Sequence, residues 1–213
     1  MERFHVDIQN HQEASYGSEV LVAVDGKLAG YFLIADTIKK DAKSAVRAMK
    51  KMGISTAMLT GDGKATATAV AKELAIDEVY ARLLPQDKLN RLGTLRKQHE
   101  SVMFVGDGIN DAPVLAAADV GAAMGSGADA AIEAADVVYM TSYMEAIPIS
   151  IRIARAAKKI AWQNVIFALA VKIFVMILGL LGFASMWAAV FADTGVAMIC
   201  VLNSIRILYQ KKY

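Results

Sequence analysis

Ser101-Val-Met-Phe-Val-Gly-Asp-Gly-Ile-Asn-Asp-Ala-Pro113 is the stretch whose reading decides the fold. Val102 to Val105 is a short apolar run, the pattern of a strand buried in a parallel sheet. Gly106 and Gly108 bracket Asp107, so the backbone can turn sharply and approach a ligand closely. Asn110 and Asp111 then open a helix, with Pro113 in its first turn. Asp107 and Asp111 therefore fall together at the carboxyl end of a strand, the edge where open α/β sheets bind ligands. Two carboxylates beside a helix N-terminus and glycine amides suit a hard cation with a phosphate. Asp111 as a plain helix cap is the alternative.

Working outward, the alternation of elements indicates a doubly wound parallel sheet. Ile54 to Leu59 is a predicted strand that runs straight into Thr60-Gly61-Asp62-Gly63. A helix over 65–74, a short strand over 78–81 and a helix from Pro85 to about Gln98 precede the central stretch. After it come a helix from Asn110 to about Ala118, a strand over 120–124 ending at Gly125-Ser126-Gly127, a helix over 129–134 and a strand over 137–140. Upstream, Val20 to Val24 and Leu28 to Ala35 are apolar runs joined by Asp25-Gly26, a hairpin signal. Asp41 is placed to cap a helix reaching Met52.

The chain has 213 residues and is 56% hydrophobic, high for a purely soluble domain. The excess lies after Ile160: from there to Leu208 only Lys172, Asp193 and Arg206 are charged. That length predicts two membrane spans of about 20 residues, with the turn near Gly179, Gly182 and Ser185. A single span over 173–192 is the competing reading. Lys158 and Lys159 flank one outer end and Arg206, Lys211 and Lys212 the other, so both ends are expected in the cytoplasm. A net charge of +2, without a basic patch interleaved with aromatics, predicts no nucleic-acid partner. The single cysteine, Cys200, excludes an internal disulfide and is read as a packing residue. No apolar segment of signal-peptide type follows Met1.

Three motifs carry the chemistry. Thr60-Gly61-Asp62 offers a hydroxyl and amides to phosphate oxygens. Pro85-Gln86-Asp87-Lys88 offers a positive charge through Lys88, and Asp107 with Asp111 suits Mg²⁺. In this order they resemble the haloacid dehalogenase superfamily. Within it, Met58 to Gly63 and Val105 to Pro113 are similar to the P-type ATPases, as is Gly121 to Asp136; Gly63 stands where that family usually has Asn. The resemblance implies Thr60, Gly61, Asp62, Lys88 and Asn110 in the phosphoryl-transfer site, Asp107 and Asp111 as Mg²⁺ ligands, and ATP as phosphoryl donor. The family's phosphorylated Asp-Lys-Thr-Gly-Thr is not found in this sequence. The chain is therefore expected to begin within the nucleotide-binding domain, and to be inactive alone without the N-terminal portion of a pump.

Two spans after the phosphorylation domain resemble the heavy-metal-transporting P-IB class. Gln163-Asn164 and Phe191 to Gly195 do not match the copper signatures, and the cobalt signature His-Glu-Gly is absent. Lys172 and Asp193 resemble the zinc, cadmium and lead exporters, which implies Asp193 as a ligand of the transported metal and Lys172 as its counter-charge. Residue spacing agrees independently. Both lie roughly 12–15 Å from the turn at 1.5 Å per residue, deep enough to be costly unless functional or paired. A purely structural ion pair is the alternative. The expected organisation is a nucleotide-binding-domain remnant over 1–35, a phosphorylation domain over 36–148, and two spans with a cytoplasmic tail over 149–213 in the plasma membrane. The rival functions are a phosphatase of the same superfamily with a membrane tail, using Asp36, and a non-catalytic accessory fragment docking on a pump.

Overall fold

A computed structural model describes residues 18–34, 37–107, 109–125, 129–183 and 185–209. The apolar runs beside Asp25-Gly26 form an antiparallel hairpin of Ser18–Val24 (β1) and Lys27–Ile34 (β2). Asp25 and Gly26 both have positive φ, 51° and 74°, as a two-residue hairpin turn needs. Helix α1, Ala42–Lys51, turns Ala42, Ala45 and Val46 inward. Ala42 and Val46 pack with Leu74 from helix α2, Lys64–Leu74.

The strand expected over 54–59 is only Ala57–Leu59 (β3). Its start is claimed by other bonds. The Thr56 amide and hydroxyl both donate to Asp77 Oδ2, at 2.9 and 2.8 Å, and the Thr56 carbonyl accepts from the Asp77 and Glu78 amides. Lys50 adds an ion pair to Asp77 at 2.6 Å, and this ammonium, with the Thr56 donors, pulls the Asp77 pKa down to about 2. β3 runs parallel to Glu78–Tyr80 (β4). Helix α3, Pro85–Gln98, follows; Pro85 supplies a preset φ at its first position and Asp87 Oδ2 accepts the Leu84 amide at 3.0 Å.

Met103–Gly106 (β5), Val120–Met124 (β6) and Val137–Tyr139 (β7) form a parallel ladder in that order. Helices α4, Ala112–Ala117, and α5, Asp129–Glu133, connect them. Gly121 to Met124 are buried throughout, as expected of a central strand covered on both faces. Arg96 near the end of α3 binds Asp119 at 2.6 Å, and Asp119 accepts the Val102 amide at 2.9 Å just before β5. The guanidinium and that amide hold the Asp119 carboxyl below its usual range. The doubly wound arrangement is present as two parallel ladders, β3–β4 and β5–β6–β7. Among the described residues no hydrogen-bonded ladder joins β3 to β5.

Two helix caps read from the sequence are not made. Asp41 and Asp111 both precede helices, yet neither side chain bonds the helix amides. Asp41 Oδ2 accepts the Glu145 amide at 3.1 Å, while Asp111 is drawn to Lys88. The helix expected from Asn110 opens as a short 3₁₀ turn, Ile109–Asp111, before α4.

The described residues divide into two compact units between Ala146 and Ile147. The second consists mainly of one 35-residue helix, α6, Ala146–Leu180, and its antiparallel return. Pro148 is tolerated near its start because the first helical amides have no intrahelical partner. At 1.5 Å per residue α6 is about 52 Å long, well beyond a hydrocarbon core of about 30 Å. Its first turns hold Arg152, Arg155, Lys158 and Lys159; its later turns are apolar apart from Gln163, Asn164 and Lys172. After a break beginning at Leu181 and Gly182, Met186–Val190 (α7), a π-helical turn Phe191–Gly195 and Val196–Ile205 (α8) form the return. The break replaces the alternative of a single span over 173–192.

Candidate functional site

In the first unit, the candidate residues lie at the ends of parallel strands, in two groups. Thr60 follows β3 directly. Its amide donates to the Tyr80 carbonyl at 2.9 Å, and its carbonyl accepts from Leu83 at 3.0 Å. Its hydroxyl donates to Asp62 Oδ2 at 2.8 Å and accepts the Asp62 amide at 3.1 Å. Arg82 closes this loop by donating its amide to the Asp62 carbonyl, from a left-handed conformation with φ 56°. Gly61 lies exposed between the two.

The same loop feeds α3, whose first turn carries Lys88. Lys88 Nζ lies 2.7 Å from Asp111 Oδ1, with the two side chains only 17% and 14% exposed. Gly106 is what lets Asp111 come so close to the strand. A Cβ there would stand 3.0 Å from Asp111 Cβ and 3.1 Å from Asp111 Oδ2. Asp107 and Asn110 are exposed beside this pair. The structure thus joins Thr60 to Asp62 and Lys88 to Asp111, with Asp107 at the end of β5. Gly108, Ser126, Gly127, Lys211, Lys212 and Asp36, which the sequence also singled out, lie outside the described residues.

Mg²⁺ is commonly held by one or two carboxylates together with phosphate oxygens and water. Asp107 and Asp111 fit that requirement as residue types, and one Asp111 oxygen is here taken by Lys88. The exposed Gly61 presents an amide donor of the kind that stabilises equatorial phosphoryl oxygens, while the Thr60 hydroxyl is donated to Asp62.

In the second unit, Lys172 Nζ lies 3.0 Å from Asp193 Oδ1, with side chains 56% and 76% exposed. Asp193 sits in the middle of the π-helical turn, a local widening that often marks functional positions. Farther from the break is a polar cluster that the sequence reading passed over. Asn164 Nδ2 donates to the Cys200 carbonyl at 3.1 Å and to Ser204 Oγ at 2.9 Å, and Asn203 Nδ2 donates to Asn164 Oδ1 at 2.8 Å. Cys200 Sγ lies 3.7 Å from the Asn164 carbonyl, so the thiol is engaged at the helix contact. The signal was the spacing of Cys200, Asn203 and Ser204, which share one helical face in an otherwise apolar run.

A family model described as haloacid dehalogenase-like hydrolase matches residues 1–119, more than half of the chain. A cadmium, zinc and cobalt-transporting ATPase of Bacillus subtilis (strain 168) is 51% identical over 96% of this chain and 30% of its own length. A zinc-transporting ATPase of Synechocystis sp. (strain PCC 6803) is 48% identical over 90% of this chain and 27% of its own. The crystal structure of a zinc-transporting PIB-type ATPase in its E2.Pi state superposes with a TM-score of 0.84 and 36% identity, over 91% of this chain and 32% of that one. The chain spans under a third of the length of these relatives.

Proposed function

The chain belongs to the haloacid dehalogenase-like hydrolases and corresponds to the C-terminal region of heavy-metal-transporting P-IB ATPases, and from that premise we propose that it forms part of a divalent-metal efflux pump driven by aspartyl-phosphate chemistry. Its second unit consists of two long apolar helices like the membrane portion of that family. In this reading the first unit binds and polarises the phosphoryl group. Thr60 and the Gly61 amide donate to its oxygens, Lys88 offsets its charge, and Asp107 and Asp111 hold Mg²⁺, which supplies charge neutralisation when bound. Asn110 orders the same turn. ATP is the donor, and the accepting aspartate lies on a segment outside this sequence. The separation of the two parallel ladders supports that part of the reading, because among the described residues β3 and β5 each keep a strand edge that another strand could pair with.

The cargo is a soft divalent cation of the zinc and cadmium kind, with lead in the same class; the name of the Bacillus subtilis relative adds cobalt. The observation that carries this is the Lys172–Asp193 pair, two opposite charges in the apolar stretch of the two helices. A carboxylate held at an open helix face binds the cation, and Lys172 neutralises it once the cation has left. Both ends of the helix pair face the cytoplasm of a plasma-membrane protein, following the basic residues at its outer ends. Residues 1–35, 36–148 and 149–213 then serve as nucleotide-domain remnant, phosphorylation domain and final spans.

The test uses a full-length pump carrying this sequence. Asp193→Ala abolishes metal-stimulated ATPase activity and leaves phosphorylation by inorganic phosphate largely intact, because the first unit is untouched. Lys172→Ala does less harm. A structural pair behaves differently: either single change strands a charge in low dielectric, and the apolar double change restores both folding and transport. Normal zinc transport by that double variant would overturn the ligand assignment.

A further inference from the structure

The half-buried face of α6 runs through Ile160, Asn164, Ala168, Val171, Val175 and Leu178, three or four residues apart. On the return helix the corresponding face is Ala192, Gly195, Val196, Cys200, Asn203 and Ile207. Toward the break, both faces are small or aliphatic. Side chains of that kind specify a register through shape alone, without a directional bond. Lys172 and Asp193, 3.0 Å apart, also resist a slip of one helical turn, but their contact lies at the exposed flank and not within the helix contact. Among the described residues, the place within the helix contact where hydrogen bonds specify the register is the amide cluster at Asn164.

We propose that Asn164 is a positioning residue: its side-chain amide locks the register of α6 against α8, and so holds Lys172 opposite Asp193. Both amide protons of Asn164 are committed, to the Cys200 carbonyl and to Ser204 Oγ, and its carbonyl oxygen accepts from Asn203. All three bonds are broken by a slip of about 5.4 Å, one turn. In hydrocarbon no water replaces them, so a slipped hairpin strands polar groups. A single seam asparagine fixes the register of coiled coils by the same logic. Lys172 lies about two turns along α6 from Asn164, and Asp193 about two turns along the return helix from Cys200. The register set at one level is therefore carried to the other by rigid helix. With its amide occupied, Asn164 has little left to offer a metal ion; it acts through the pair it aligns.

The importance of this register for transport rests on the Lys172–Asp193 reading above, but the register itself is measured without metal. The full chain is placed in membranes with Cys200→Ser, which keeps a hydroxyl donor and removes the native thiol. Cysteines at Lys172 and Asp193, or at Lys172 and Ala197, are joined by a bifunctional thiol reagent spanning roughly one turn. With Asn164 present, the 172–193 product dominates. Asn164→Leu cuts it at least about fivefold, as loss of three interhelical hydrogen bonds implies, and raises the 172–197 product. Asn164→Gln, which keeps both ends of the amide, restores the 172–193 product to within about twofold. If Asn164→Leu fails to reach the membrane, Asn203→Leu with Ser204→Ala is read in the same way. Unchanged 172–193 yield in the Leu variant overturns the proposal. So does a uniform fall in both products, which indicates loosened pairing without a register shift. Failure of the metal-ligand reading shows only in the transport assay and leaves these yields where they were.

Discussion

The Lys88–Asp111 pair is a short, largely buried ion pair at the candidate site, and its worth is measurable. Removing one partner of a well-buried ion pair costs about 3–5 kcal/mol, whereas exposed pairs contribute about 0–1 kcal/mol. With side chains 17% and 14% exposed and a 2.7 Å separation, this pair stands nearer the buried limit but is partly screened. Lys88→Met is therefore expected to destabilise the first unit by about 2 kcal/mol, with a Lys88–Asp111 coupling of about 1–2 kcal/mol. The coupling comes from a double-mutant cycle with Asp111→Asn. The readout is hydrogen exchange of the slowest amides in β5 and β6, which report opening of this unit separately from the apolar helices. Lys50–Asp77 is the internal control. It is equally short, 2.6 Å, but 36% and 40% exposed, so Lys50→Met should cost less than about 1 kcal/mol. Equal losses for Lys88→Met and Lys50→Met, or a coupling below about 0.5 kcal/mol, would refute the argument that burial makes the Lys88 pair the stronger one.

Asp77 gives the acid limb a definite sign: its folded pKa, about 2, is below its ordinary 3.8, so its contribution is present above the higher value and lost as pH falls toward the lower one. Asp77→Asn should flatten that part of a urea-midpoint profile, and a profile identical to the parent's would remove Asp77 as a cause. The chain incubated alone with labelled ATP and Mg²⁺ should yield no acid-stable, hydroxylamine-sensitive phosphoprotein; a clear signal lost in Asp36→Asn would favour the phosphatase reading instead.

What the sequence made legible follows from the physics of each segment. The order of strands and helices was readable because buried parallel strands are short, nearly continuous apolar runs, and 103–106 and 120–124 are of that kind. The shortened β3 was not readable. Its start depends on Asp77, a residue far along the chain whose carboxylate takes up the donors of Thr56. Capping misled for a similar reason. Asp41 and Asp111 have the right residue type before a helix, but a tertiary partner won in each case: the Glu145 amide for one, the Lys88 ammonium for the other. Local propensity gives way where a charged or distant donor offers the stronger bond.

The apolar helices obey the opposite logic. In the first unit a carboxylate is unremarkable by itself, and Asp107 or Asp111 gains meaning only from its place at a strand end and its spacing from a partner. In a hydrocarbon setting each polar side chain is individually expensive. Lys172 and Asp193 could therefore be singled out one residue at a time, and their similar depth allowed them to meet across the hairpin; they lie 3.0 Å apart. Asn164 fell between these two modes. It was compared with a copper-type signature and set aside when it did not match, although the cost of burying an unpaired amide applied to it as it did to Lys172. The same cost requires partners for it across the hairpin, and Cys200, Asn203 and Ser204 provide them. A residue that fails one motif in an apolar helix still has to be accounted for, and here that account connects the amide cluster to the ion pair two turns away.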